Sequence, residues 1–154
     1  MQKEFRISNG QSLIEVVISV GIATILAISL ITTSLVTQKS ARIAKKNTQA
    51  TKLAQEMTEQ VRVFRDRNGF GLLPETSCYQ LNKTDEDDVS KWEFIRVACA
   101  EKNTWQPIDS DKTRFYRKID FNQRDNDKLI TVTVGWDEPE GFKFVSSQTI
   151  LSKW

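Results

Sequence analysis

The sequence predicts an α+β fold: one long N-terminal α-helix, half membrane-spanning and half amphipathic, packed on a small antiparallel β-sheet. Three observations predict it. Proline is absent from Gln11 to Leu73, and glycine from Ile22 to Asn68. An apolar run at Leu13–Val36 passes into a segment whose apolar residues recur at helical spacing. The rest of the chain alternates apolar and polar residues in short stretches broken by turn signals.

The apolar run comes first. Leu13–Val36 holds Leu, Ile, Val, Ala, Gly, Ser and Thr with one ionisable residue, Glu15. As a helix its roughly 24 residues span roughly 36 Å, enough to cross a hydrocarbon core of about 30 Å. It exceeds the apolar core of a secretory signal, and no small-residue cleavage site follows it. A soluble helix is rarely apolar on every face. A carboxylate near the end of such a span either snorkels to the headgroups or meets a partner charge.

The second helical stretch carries Ile43, Ala50, Leu53, Met57, Val61 and Phe64, spaced as one helix face requires. Asn68-Gly69 is the stop signal. The expected helix covers 11–68, about 87 Å of it at 1.5 Å per residue, with a transmembrane segment at 13–36. Residues 69–154 are expected to form a globular β-sheet domain packed on 37–68.

In that domain 92–99 and 115–121 read as strands. Leu129–Trp136 alternates cleanly, Asp137–Gly141 is a turn, and Phe142–Leu151 returns as the hairpin partner. The apolar face of that last strand switches near Ser146-Ser147, which predicts a bulge. Residues 69–91, 100–114 and 122–128 read as polar loops.

Composition removes several kinds of chemistry. The 154 residues carry 22 Lys and Arg against 20 Asp and Glu, so net charge names no partner. Histidine is absent, and with it the commonest general base and transition-metal ligand. No nucleophile–base pair and no glycine-rich phosphate loop is visible. The sequence therefore predicts no enzyme, no cofactor and no metal. The acidic run Asp85-Glu86-Asp87-Asp88 and Asp125-Asn126-Asp127 lack the EF-hand pattern and read as solvated loops before calcium sites. Asn82-Lys83-Thr84 forms a glycosylation triplet of a kind that arises readily by chance. Cys78 and Cys99 are the two cysteines. In an exported domain they predict one disulfide closing a loop of about 20 residues, against the alternative of two free buried thiols.

Gly10-Gln11-Ser12-Leu13-Ile14-Glu15 followed by Val16-Val17-Ile18, behind a short basic leader, resembles the class III signal of type IV pilins and pseudopilins. The resemblance implies a leader at 1–10, cleavage between Gly10 and Gln11 by a prepilin peptidase, and N-methylation of Gln11. It also implies that Glu15 pairs with the terminal amine of a neighbouring subunit during assembly. A free amine created in the membrane suits a lone carboxylate, and such a pair fixes axial register. The implied partners are other pilin subunits, the peptidase, an inner-membrane assembly platform and the membrane itself. The implied location is the bacterial cytoplasmic membrane, then a pilus or pseudopilus. The family's first mature residue is usually phenylalanine; Gln11 in its place points to a minor pilin or pseudopilin. Many members carry a proline in the membrane helix, which this chain lacks; Gly21 and Thr32-Thr33-Ser34 are its only weak points. The family's ladle-shaped fold agrees with the fold read from the residues.

One pattern opposes this reading. Lys39, Arg42, Lys45, Lys46 and Lys52 follow the apolar run, whereas only Lys3 and Arg6 precede it. The positive-inside rule would then hold the C-terminal domain in the cytoplasm. The signal and the cysteine pair favour export. The basic collar itself reads as a solvated or headgroup-facing surface, as a contact for the 85–88 acids of another subunit, or as a nucleic-acid contact. No aromatic residue interleaves it as a stacking platform. The alternative function is an uncleaved single-pass membrane protein with an extracytoplasmic binding domain.

Overall fold

The computed structural model describes the backbone of residues 9–153 and the side chains of 13–153. Residues 1–8, within the leader that the resemblance implies, lie outside the described residues, and Gly10 and Gln11 are described by backbone alone. The class is α+β. Helix α1 covers Asn9–Asn68, and six strands follow: β1 Ser77–Lys83, β2 Trp92–Val97, β3 Gln106–Ser110, β4 Thr113–Arg124, β5 Asp127–Glu138 and β6 Gly141–Ser152. The chain divides between Ala44 and Lys45 into two compact units.

The first unit is helix. Every Leu, Ile and Val from Leu13 to Val36 is exposed, between 56% and 72%. That stretch is long and apolar enough to cross a membrane, and none of it is buried.

The second unit is a helix laid on a sheet. Ala50, Ala54, Met57, Val61 and Phe64 are buried against Phe115, Ile119, Phe121, Ile130, Val132, Val134 and Trp136. Leu53 packs at the edge of this core, while Ile43 is exposed. The two alanines let the helix backbone approach the sheet, and the larger residues fill the space beyond them. Phe64 meets Phe94 edge-to-face at 4.9 Å, and Phe94 in turn meets Phe121 at 5.3 Å. The helix stops where the sequence says it should. Gly69 has φ 93°, a conformation that costs glycine little, and its N–H donates to the Arg65 carbonyl at 2.7 Å. Arg65 and Arg67 lie in the last turn, where cations are favoured.

The sheet order is β2-β1-β4-β5-β6, every pairing antiparallel, and β3 pairs β4 beside β1. It contains more strand than the sequence reading expected. β1 lies inside the expected 69–91 loop; its period-2 signal is two residues, Tyr79 and Leu81, diluted by polar neighbours. β3 lies inside the expected 100–114 loop and carries Pro107, which argues against a central strand but suits an edge. The expected 122–128 loop shrinks to Asp125-Asn126, because β4 and β5 continue through polar, exposed ends. The expected bulge near Ser146-Ser147 is absent. The β5–β6 register runs unbroken from Asp127↔Ser152 to Glu138↔Gly141. The apolar pattern switches because β6 places apolar residues on both faces: Val145 and Leu151 toward the helix, Phe142, Phe144 and Ile150 away from it.

Candidate functional site

The exposed apolar end of α1 is the first candidate. Among the described residues, most of its side-chain hydroxyls donate to the helix's own carbonyls. Ser19 donates to the Glu15 carbonyl at 2.7 Å, Thr24 to Val20 at 2.7 Å, Ser29 to Ile25 at 2.9 Å and Thr32 to Ile28 at 2.8 Å. Thr33 donates to the Ser29 carbonyl and Thr37 to the Thr33 carbonyl, both at 2.9 Å. A helix in hydrocarbon needs this, because no water is there to take the bonds. The same back-bonding loosens the helix ladder at the carbonyls it shares, so Thr32-Thr33 remains its weakest polar point. Glu15 sits between Ile14 and Val16, and among the described residues no cation pairs with its carboxylate. The partner amine that the resemblance implies would belong to a neighbouring subunit.

In the second unit, two lysines of the basic collar are held at home. Lys46 Nζ meets Glu138 Oε1 at 2.7 Å, and the same carboxylate oxygen accepts from Trp136 Nε1 at 2.9 Å. Lys45 pairs with Asp111, which also accepts from Gln49 at 3.4 Å. Asp111 and Lys112 form the β3–β4 turn with φ 49° and 65°, a conformation that Asp tolerates better than most residues. Lys45 beside it holds the Asp111 carboxyl below the usual carboxylate range. These pairs tie the helix to the β3–β4 turn and the end of β5.

Two buried cations escaped the sequence reading. Arg117 is 5% exposed; its Nε and Nη2 donate to Gln106 Oε1 at 3.3 and 3.0 Å, and Nη1 donates to the Leu53 carbonyl at 3.4 Å. Burial pushes its guanidinium down to about 10, with Glu56 opposing the shift. Lys128 donates to the carbonyls of Leu73 and Pro74 at 2.6 and 3.0 Å, fastening the chain that leaves the helix, and burial lowers its pKa. The signal was present: Arg117 shares parity with Phe115, Ile119 and Phe121, and Lys128 shares it with Ile130 and Val132.

Cys78 and Cys99 are joined by a disulfide, with Cα atoms 5.3 Å apart. It fastens the segment after β2 to β1. That segment shields part of the sheet face opposite the helix, where Trp105, Lys102, Lys118, Phe142, Phe144 and Thr133 line an open groove of about 410 Å³. Lys118 Nζ donates to the Cys99 carbonyl at 3.0 Å and lies 4.9 Å from the Trp105 ring centre. Lys102 pairs with Asp137 at 2.5 Å. Both cations are thus already engaged. The sulfurs of Cys78 and Cys99 near Asp120 are bonded to each other and offer no thiolate to a metal.

The acidic run is arranged around a lysine. Lys91 Nζ lies 3.0 Å from Asp85 and 3.2 Å from Asp88. Asp88 also accepts from the Ser90 N–H at 3.1 Å, and Ser90 and Lys91 together hold its carboxyl below the usual range. Asp125-Asn126 forms the β4–β5 turn.

No protein-family model, no curated protein and no solved structure matches the chain.

Proposed function

We propose that this chain is a structural subunit, a minor pilin or pseudopilin, of a type IV pilus-like filament serving adhesion, motility, secretion or DNA uptake. A prepilin peptidase cuts after Gly10, Gln11 becomes the methylated N-terminus, and the helix anchors the subunit in the cytoplasmic membrane until assembly. It then leaves the bilayer and packs among neighbouring helices, with Glu15 paired to a neighbour's terminal amine.

The observation that carries the reading is the division of labour within α1. Its first part exposes apolar residues on every side and holds a lone acid five residues past a glycine, while its second part is buried in a disulfide-closed sheet unit. A helix that needs apolar company at one end, joined to a unit complete at the other, suits an element that exchanges lipid for other helices. The disulfide supports an oxidising compartment for the sheet unit.

The decisive experiment is the intact mass of the protein from its native membrane. Loss of residues 1–10 with gain of one methyl group is the expected result. The mass of the full chain would sink the reading in favour of an uncleaved anchor holding an extracytoplasmic binding domain. Glu15→Ala is expected to insert normally and to be incorporated poorly into filaments.

A further inference from the structure

Among the described residues of the sheet, three large apolar side chains are exposed: Ile95 at 41%, Phe144 at 64% and Ile150 at 55%. All three lie on β2 and β6, the strands that end the sheet. β6 is an unusually inviting edge. It runs for 12 residues in unbroken register, contains no proline and carries one charge, Lys143. Soluble sheets normally blunt such an edge with charge, proline or a bulge. β3, which also has an open side, is five residues long and contains Pro107.

Topology limits what a second copy can do at this edge. Four antiparallel pairings separate β2 from β6, so the two edges run in the same direction. Pairing β6 with β6 of another copy as antiparallel neighbours needs a two-fold axis perpendicular to the sheet. That axis reverses the helix half lying on the sheet and closes the assembly at two copies, whereas a filament must keep adding subunits. Pairing β6 with β2 of another copy is parallel and keeps every helix pointing the same way. Such a contact is head-to-tail, and it builds an open, growing filament wherever the rotation between copies does not close a ring.

We propose that the β6 edge of one copy pairs in parallel with the β2 edge of the next, so that this chain adds to itself in runs. The proposal rests on the filament reading and deepens it by naming the neighbour. Face parity leaves two registers that join exposed apolar residues, Ile95 beside Phe144 or Ile95 beside Ile150. A six-residue strand pairing is weak by itself. Helices confined to one membrane or one filament raise the effective concentration and make it sufficient.

The test is cross-linking of the full chain in its native envelope. The doubles I95C/F144C and I95C/I150C are treated with a short bis-maleimide, which the bridged Cys78 and Cys99 do not consume. One double is expected to give a ladder of dimers, trimers and higher species, and each single variant is expected to remain monomeric. Dimers from F144C or I150C alone, stopping at two, would overturn the proposal in favour of two-fold pairing. Absence of a ladder from both doubles would also overturn it. The replaced side chains are exposed, and an intact native disulfide in each variant checks folding. Intact mass, measured on the same samples, separates the two failures. Processed chain without a ladder sinks this contact alone, whereas a ladder from unprocessed chain keeps the contact and sinks the pilin reading.

Discussion

The two parts of α1 both carry large apolar side chains and do opposite things with them. From Leu13 to Val36 the helix displays every large apolar side chain, on all sides. From Ala50 to Phe64 it buries a single stripe and turns Lys52, Glu56 and Glu59 outward. The difference lies in where the polar atoms go. In the first part they are hydroxyls returned to the helix's own carbonyls. In the second, Thr51 and Thr58 back-bond in the same way, but other polar groups reach across to the sheet: Lys46 donates to Glu138, Arg62 donates to Thr149, and the Leu53 carbonyl accepts from Arg117. One part is finished as a helix and needs only an apolar medium; the other is finished only when the sheet is present.

Met57→Ala against Leu26→Ala tests that contrast most directly. Met57 is fully buried, so its truncation is expected to cost about 2–5 kcal/mol of unfolding free energy. Leu26 is 59% exposed, and its truncation is expected to change the unfolding of the sheet unit by less than about 0.5 kcal/mol. Denaturant melts in detergent, followed by tryptophan fluorescence, read both. Equal effects would mean that the two parts unfold as one.

Removing the bridge by C78A/C99A is expected to cost about 3 kcal/mol, from the loop entropy it returns to the unfolded chain. Thermal melts of oxidised and reduced wild type bracket this value; a melt that ignores reductant would show that the bridge constrains little. Gly135→Ala is expected to cost about 1–3 kcal/mol. A Cβ there would lie 2.2 Å from Phe142 Cζ, so the ring must leave its edge-to-face contact with Trp105. Near-ultraviolet circular dichroism should lose aromatic signal while the far-ultraviolet spectrum persists.

The smallest effect belongs to the Lys45–Asp111 pair, both of whose side chains are largely exposed. Its pH dependence has a definite sign. The Asp111 carboxyl titrates lower in the fold than in the unfolded chain, so its contribution is present above the ordinary aspartate value of 3.8 and disappears as pH falls through the lower folded value. Asp111→Asn should therefore melt slightly below wild type at neutral pH and coincide with it at strongly acid pH. A constant offset at all pH values would show that Asp111 acts through the turn and not through its charge.

The long helix, its stop at Asn68-Gly69, the packing stripe and the β5–β6 hairpin were legible because each is written in local periodicity or turn chemistry. Ile43 belongs to the apolar stripe of the sequence yet is exposed, whereas Ala54 lies outside that stripe and is buried. β1 and β3 were not legible, since short polar strands gain their stability from the neighbours they pair with. Parity placed Arg117 and Lys128 inward, but only three-dimensional packing supplied Gln106, Leu53, Leu73 and Pro74 as their acceptors.

The apolar segment, its lone acid and the α+β class can be read directly from the chain, because they depend on composition and on spacings of a few residues. Three-dimensional packing was needed to show which lysines of the collar are engaged, that the bulge is absent, and that the exposed apolar residues of the sheet gather on edges running in one direction. Those properties depend on strand order and register, which join residues as distant as Lys46 and Glu138 and which no local pattern encodes.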